Sequence, residues 1–194
     1  AYYAWANRRI EKFAFADGTV LSFEEFQQQT YFQGTQGNDE TLGSVGDDKI
    51  YGQDGSDKLY GNNGNDTLYG GAGKDDLQGG NGDDILYGGE DDDNLGGGDG
   101  VDTLYGGAGN DYMDGGTGGD TYVFNRGDGV DTIKDYGNDG ETDTVKFGEG
   151  IKLKDLVVTR SGRDAVDMII SVKGTSDKLI VLDAYYAWAN RRIE

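Results

Sequence analysis

Ten aspartates stand nine residues apart: Asp39, Asp48, Asp57, Asp66, Asp75, Asp84, Asp93, Asp102, Asp111 and Asp120. Glycine stands five places before each of them, and two places before each except Asp93, where Asp91 takes its place. A carboxylate is a hard anionic oxygen donor. Glycine opens backbone conformations closed to residues with a β-carbon, so a tight turn built on it can aim several carbonyl oxygens at one point. Calcium takes six to eight such oxygens at about 2.3–2.6 Å and tolerates irregular geometry. The chain contains no His and no Cys, so zinc and copper find none of their favoured nitrogen or sulfur ligands. The same absence removes the commonest general base and the thiol nucleophile. Ser and Asp occur, but nothing groups them around a base, and the paired carboxylates are already accounted for by their period. Metal binding is therefore expected, and catalysis is not.

Charge points the same way. The 194 residues carry 17 basic and 37 acidic side chains, a net charge of −20. Nucleic acid and anionic membranes are excluded as simple electrostatic partners, and cations are favoured. Residues 34–123 hold 20 Asp and Glu against 3 Lys, a local charge of −17. That segment is too poor in apolar residues for a core of its own, and without counter-charge it is expected to be disordered. Cys and Pro are both absent, so no disulfide staples the fold. No stretch approaches the ~18 apolar residues of a membrane-spanning helix.

The aspartates belong to a frame, Gly-x-x-Gly-x-Asp-x-apolar-x, repeated without a gap from Gly34 to Val123. Copies such as "GQDGSDKLY", "GNNGNDTLY" and "GGAGNDYMD" show it plainly, and its eighth position runs Thr41, Ile50, Leu59, Leu68, Leu77, Leu86, Leu95, Leu104, Met113, Tyr122. A flexible Gly/Asp linker needs no such register, and collagen has a different period and needs proline. The frame resembles the haemolysin-type calcium-binding nonapeptide repeat of secreted repeats-in-toxin (RTX) proteins. The resemblance implies an all-β fold: a right-handed parallel β-roll in which two copies, 18 residues, make one coil and ten make about five. Each copy would contribute a three-residue strand with its middle side chain inward. Turns two copies apart would stack on one edge at the strand spacing of about 4.8 Å.

The resemblance also implies the ligands. Each ion would lie between two stacked turns, the earlier giving its second and fourth carbonyls and its Asp, the later its first and third carbonyls and its Asp. On one edge this gives Ser44, Gly46 and Asp48 with Gly61, Asn63 and Asp66. It continues as Asn62 and Gly64 with Gly79, Asn81 and Asp84, then Gly80 and Gly82 with Gly97, Asp99 and Asp102, and finally Gly98 and Gly100 with Gly115, Thr117 and Asp120. The opposite edge begins with Asp39 and Asp57, then gives Gln53 and Gly55 with Gly70, Ala72 and Asp75. After these come Gly71 and Gly73 with Gly88, Glu90 and Asp93, then Gly89 and Asp91 with Gly106, Ala108 and Asp111. The expected cofactor is about eight calcium ions, whose positive charge nearly balances the −17. The first turn departs from the frame, with Thr41 at its inward position, and Asp91 either strains the seventh turn or adds a ligand. After the tenth copy, Asp128 and Asp131 in "RGDGVDT" are placed to complete a ninth, open site.

Three regions follow: an amino-terminal cap segment at 1–33, the roll at 34–123, and a β-rich flanking cap at 124–194. Alternating apolar residues predict strands at Lys12–Phe15, Val145–Phe147, Leu156–Thr159, Met168–Val172 and Lys178–Leu182, with turns at "ADGT" and "RSGR". Ser22 and Glu25 form a capping box opening a short helix over about 22–30. This flank resembles the region that follows such repeats in secreted RTX proteins, and its expected role is to cover the roll's end. Residues 1–11, "AYYAWANRRIE", recur as residues 184–194. That fits one period of a tandem array or an engineered duplication, and it makes head-to-tail self-association through a split cap an expectation. The ninth positions Tyr51, Tyr69, Tyr87 and Tyr105 should stack outside one sheet. The expected function is a calcium-triggered folding module, itself without enzyme activity, of a large extracellular RTX toxin or exoprotein exported by a type I secretion channel. The alternatives are an accessory domain of a secreted enzyme and a tandem stalk of a cell-surface adhesin.

Overall fold

The computed structural model describes residues 12–22, 31–135, 141–161 and 167–182. The short helix expected after Ser22 and the duplicated ends lie outside these residues. Ser22 itself closes a hairpin, in which β1 (Lys12–Ala14) pairs antiparallel with β2 (Val20–Ser22) around the expected Asp-Gly turn.

The repeats fold as strands that alternate between two parallel sheets. In chain order they are β3 (Phe32–Gln33), β4 (Glu40–Leu42), β5 (Lys49–Asp54), β6 (Lys58–Asn63), β7 (Thr67–Ala72), β8 (Asp76–Asn81), β9 (Ile85–Glu90), β10 (Asn94–Asp99), β11 (Thr103–Ala108) and β12 (Tyr112–Thr117). From β3 to β11 each strand pairs in parallel with the one two ahead, residue for residue at a spacing of 18, as Leu68 with Leu86 and Leu59 with Leu77. From β5 to β12 the strands are six residues long, twice the expected length, because the chain stays extended through the first-position glycine into the next copy. Burial alternates along them. The eighth-position side chain and the next first-position glycine face inward, while their neighbours face out. The interior is thus one apolar side chain thick: Ile50, Leu59, Leu68, Leu77, Leu86, Leu95, Leu104, Met113 and Tyr122 follow one another along it, and all are buried.

Leu95 lies in the same file, between Leu77 and Met113. A core this thin cannot hold the solenoid together alone.

The roll does not end at Val123, where ten regular copies end. β13 (Thr121–Phe124), β14 (Val130–Ile133) and β15 (Thr144–Phe147) add further rungs, with β14 parallel on β12 and β15 parallel on β13. β16 (Leu156–Ser161) and β17 (Asp167–Val172) form an antiparallel pair, and β18 (Lys178–Val181) joins β17 antiparallel to β14 in parallel. One sheet therefore runs β16-β17-β18-β14-β12-β10-β8-β6-β4 and the other β15-β13-β11-β9-β7-β5-β3. The flanking segment at 124–182 is continuous with the solenoid, and Ile170, Val172, Leu179 and Val181 extend its buried file. The five strands expected in the flanks all form, each within a residue or two of its expected ends.

The outward tyrosines stack as expected. Ring centroids are 4.7 Å apart for Tyr51–Tyr69, 4.8 Å for Tyr69–Tyr87 and 4.5 Å for Tyr87–Tyr105, with near-parallel planes. Tyr87 touches two neighbours, and such pairs contribute about 0.2–1 kcal/mol each. Tyr87→Ala should therefore lower stability by about 0.5–2 kcal/mol in calcium-saturated chemical denaturation, and an unchanged midpoint would show that the rings add nothing.

Candidate metal centre

The turns between strands place the aspartates in two columns. Within each column the backbone N–H of one Asp donates to Oδ1 of the Asp 18 residues on: Asp48 to Asp66 at 2.7 Å, Asp57 to Asp75 at 2.8 Å, Asp66 to Asp84 at 2.7 Å and Asp75 to Asp93 at 2.8 Å. The pattern continues from Asp84 to Asp102, Asp93 to Asp111 and Asp102 to Asp120. These bonds fix each carboxylate's orientation and use one of its oxygens.

The other oxygen has no hydrogen-bond donor. Oδ2 of Asp57, Asp66, Asp75, Asp84, Asp93, Asp102 and Asp111 is buried and unsatisfied. From Asp57 to Asp102 it lies over the first-position glycine of its own copy, beside the first-position carbonyl two copies later. A β-carbon added at Gly61 would collide with both Asp66 Oδ2 and the Gly79 carbonyl oxygen. The same holds at Gly52, Gly70, Gly79, Gly88 and Gly97. The glycine is needed because its side-chain volume is given over to oxygens.

A buried carboxylate oxygen facing a carbonyl oxygen is a pair of acceptors with no proton between them, which is costly unless a cation enters. The donors are all hard oxygens. The residues therefore fit calcium, and Asp of the earlier turn and the first carbonyl of the later turn converge as the repeat implies.

Other expected ligands stand as follows. The third-position carbonyls of Ala72, Asn81, Glu90, Asp99 and Thr117 each accept an N–H from the fourth position two copies earlier, at 2.7–3.1 Å, which leaves each a second lone pair. Left-handed φ recurs at the second position, where Gln53 and Asn62 adopt 85° and 78° without being glycine. Asp91 holds φ 75°, a conformation Asp tolerates, so the seventh turn keeps its path. The first turns differ. Asp39 Oδ2 accepts from the Thr35 backbone N–H and hydroxyl, and Asp48 Oδ2 from the Ser44 N–H at 2.5 Å. With no earlier turn beneath them, these two carboxylates turn towards their own loops.

The structure adds residues that the frame did not single out. Fifth-position side chains build a second ladder: Asn38, Asp47, Asn65, Asp83 and Asp92 accept the N–H of Ser56, Asn65, Asp83, Val101 and Asn110. Asn or Asp at six of the ten fifth positions was the available signal. At the end of one column, Asp143 Oδ1 accepts the Asp120 N–H at 3.1 Å. Asp120, Asp135 and Asp143 have carboxylate oxygens within 4.8 Å of one another. The Tyr122 hydroxyl accepts from Gly115 N–H and donates to Asp135 Oδ2 at 3.0 Å.

Burial pushes these carboxylates up: Asp93 to about 8, Asp66 and Asp102 to about 7, and Asp75, Asp84 and Asp111 to about 6. The column N–H bonds oppose the rise and neighbouring carboxylates add to it. A raised folded-state pKa means the metal-free solenoid binds protons that the unfolded chain, near its ordinary carboxylate value, has released. Its stability should therefore fall as pH rises from about 4 to about 8. Bound protons and bound cations both stabilise the folded chain through the same oxygens, so the calcium concentration needed to fold it should fall from pH 8 to pH 6. Calcium titrations followed by circular dichroism at the two pH values check this, and coincident midpoints would contradict it.

The repeats also match a known family. Residues 33–68, 60–95, 69–104, 87–122 and 96–133 each match the family model of the RTX calcium-binding nonapeptide repeat in its four-copy form. No curated protein matches the chain significantly. Among solved structures it is similar to the AlgE6R3 subunit of the mannuronan C5-epimerase from Azotobacter vinelandii, at 22% identity over 82% of this chain and 80% of that one, with a TM-score of 0.38. It is also similar to the extracellular lipase LipA from Serratia marcescens, at 16% identity over 87% of this chain and 43% of the lipase, with a TM-score of 0.33. With the repeat model matched across residues 33–133 and the acceptor-only cradles stacked along the same stretch, the chain belongs to the RTX calcium-binding repeat family.

Proposed function

We propose that this segment is a calcium-triggered folding module of a larger secreted RTX protein, a toxin or exoprotein exported unfolded through a type I channel. The observation that carries the reading is the file of buried, donor-free Oδ2 atoms. A cation held between successive turns by those carboxylates and the neighbouring first-position carbonyls supplies the attraction that the thin core lacks. Eight regular gaps, four per edge, would hold about eight ions, with the second to fourth carbonyls of each turn completing the ligand sets. Extracellular calcium modules commonly bind at about 10⁻⁴–10⁻³ M, so the cytosol leaves the chain open and the exterior closes it. The module does no chemistry of its own, because its carboxylates are committed to the ladder. No helix among the described residues is long and apolar enough to cross a membrane. Small-angle scattering tests the trigger. The radius of gyration should fall from about 45 Å at micromolar calcium to less than half of that at millimolar calcium. A chain equally compact in both would rule the reading out.

A further inference from the structure

We propose that Tyr51, Tyr69, Tyr87 and Tyr105 form an oxidative cross-linking site, at which a one-electron oxidant supplied with a peroxide joins tyrosines of successive coils as dityrosine. The product is a covalent staple that holds the roll closed when calcium falls. The chain contains no Cys, so no disulfide does this for it. The inference stands on the stacked rings and goes beyond the calcium reading of the turns.

The register makes the site. Tyr51 lies directly opposite Tyr69, Tyr69 opposite Tyr87 and Tyr87 opposite Tyr105, on parallel strands of one sheet. Their planes differ by only 4°, 3° and 15°, and their centroids stand 4.7, 4.8 and 4.5 Å apart. Identical residues in parallel register carry their rings outward alike, so the carbons beside one hydroxyl face those of the next ring. All four side chains are half-buried, within reach of a small oxidant. Gly71, Gly89 and Gly107 stand beside them on the same face and carry no side chain to stop a ring tilting towards its neighbour. Other tyrosines lack this arrangement. Tyr60, on the opposite sheet, lies between Leu42 and Gln78, and Tyr31 meets Tyr51 edge-on at 82° and 5.7 Å.

The chemistry balances. Each of two stacked phenols gives up one electron and one proton. The phenoxyl radicals carry part of their unpaired spin on the carbons beside the oxygen, and one such carbon from each ring forms the new bond. The hydrogen on each bonded carbon moves through solvent to its oxygen, which restores both phenols. The pair has lost two hydrogens, and the two electrons break the O–O bond of the peroxide. Hydrogen peroxide leaves as two waters, or persulfate as two sulfates. Each link closes an 18-residue loop, a constraint on the unfolded chain of the kind a disulfide imposes.

Illumination of the whole chain in millimolar calcium with ruthenium tris-bipyridyl and persulfate, followed by digestion and mass spectrometry, tests the site. Cross-linked peptides should join Tyr51 to Tyr69, Tyr69 to Tyr87 or Tyr87 to Tyr105, and in chelator the links should scatter over other tyrosines. The double variant Tyr69→Phe, Tyr105→Phe keeps the stacked rings but leaves no parallel pair of phenols, and it should form none of these links. The linked chain should need about two- to fourfold less calcium to reach the midpoint of its strand signal. A calcium-folded chain whose links are absent or scattered, or whose midpoint does not move on linking, would overturn the proposal. A chain with no strand signal in calcium would overturn it together with the calcium reading.

Discussion

Removing calcium with a chelator at neutral pH should abolish the solenoid, converting the strand signal in far-ultraviolet circular dichroism to that of an unfolded chain. A site that sees calcium at ten times its dissociation constant adds about 1.4 kcal/mol to the folded state. Eight such sites add about 11 kcal/mol, as much as the whole stability of an ordinary domain at about 5–15 kcal/mol. Among the described residues nothing else replaces that sum. The buried file is one side chain wide, and residues 34–123 carry −17 charges that repel one another once the counter-ions leave. A chelated chain that keeps its strand signal would contradict the account.

The second large effect should come from one aspartate in mid-column. Asp75 serves two gaps at once. Its Oδ1 binds the Asp57 N–H, while its donor-free Oδ2 lies over Gly70 beside the Gly88 carbonyl. Asp75→Asn preserves the shape and the first of these bonds but removes the charge from both neighbouring cation sites. Two sites lost at the same calcium level amount to about 3 kcal/mol. Asp39→Asn, at the first turn, borders a single gap, and its Oδ2 is already held by Thr35. It should cost no more than half as much in calcium-saturated denaturation. Equal losses from the two variants would refute the column arrangement.

How much of this was written in the sequence follows from what a strict period can encode. Asp at every sixth place and an apolar residue at every eighth specified the coil, the inward file and the ladder of carboxylates. The glycine at the first place was legible as a turn former. Its steric role, making room for Oδ2 and a facing carbonyl, arises only in the fold, where turns two copies apart meet. The strand length was misjudged because first-position glycines read as turn residues, whereas here they lie inside strands. The continuation of the roll past Val123 was hidden by two and five extra residues before Asp131 and Asp143, which break the register while leaving each able to accept its column N–H. The fifth-position ladder was hidden differently. Asn and Asp are common in any turn, and their partners lie 18 residues away. The flanking strands were legible because alternation is local to each.

The central claim is that folding of this chain and its occupation by calcium are one event. Equilibrium dialysis and circular dichroism on the same samples, across rising free calcium, test it most directly. The account predicts that ions bound per chain and strand content rise together, with coincident midpoints and several ions per folded chain. A chain that completes its strand signal while binding no calcium would contradict it.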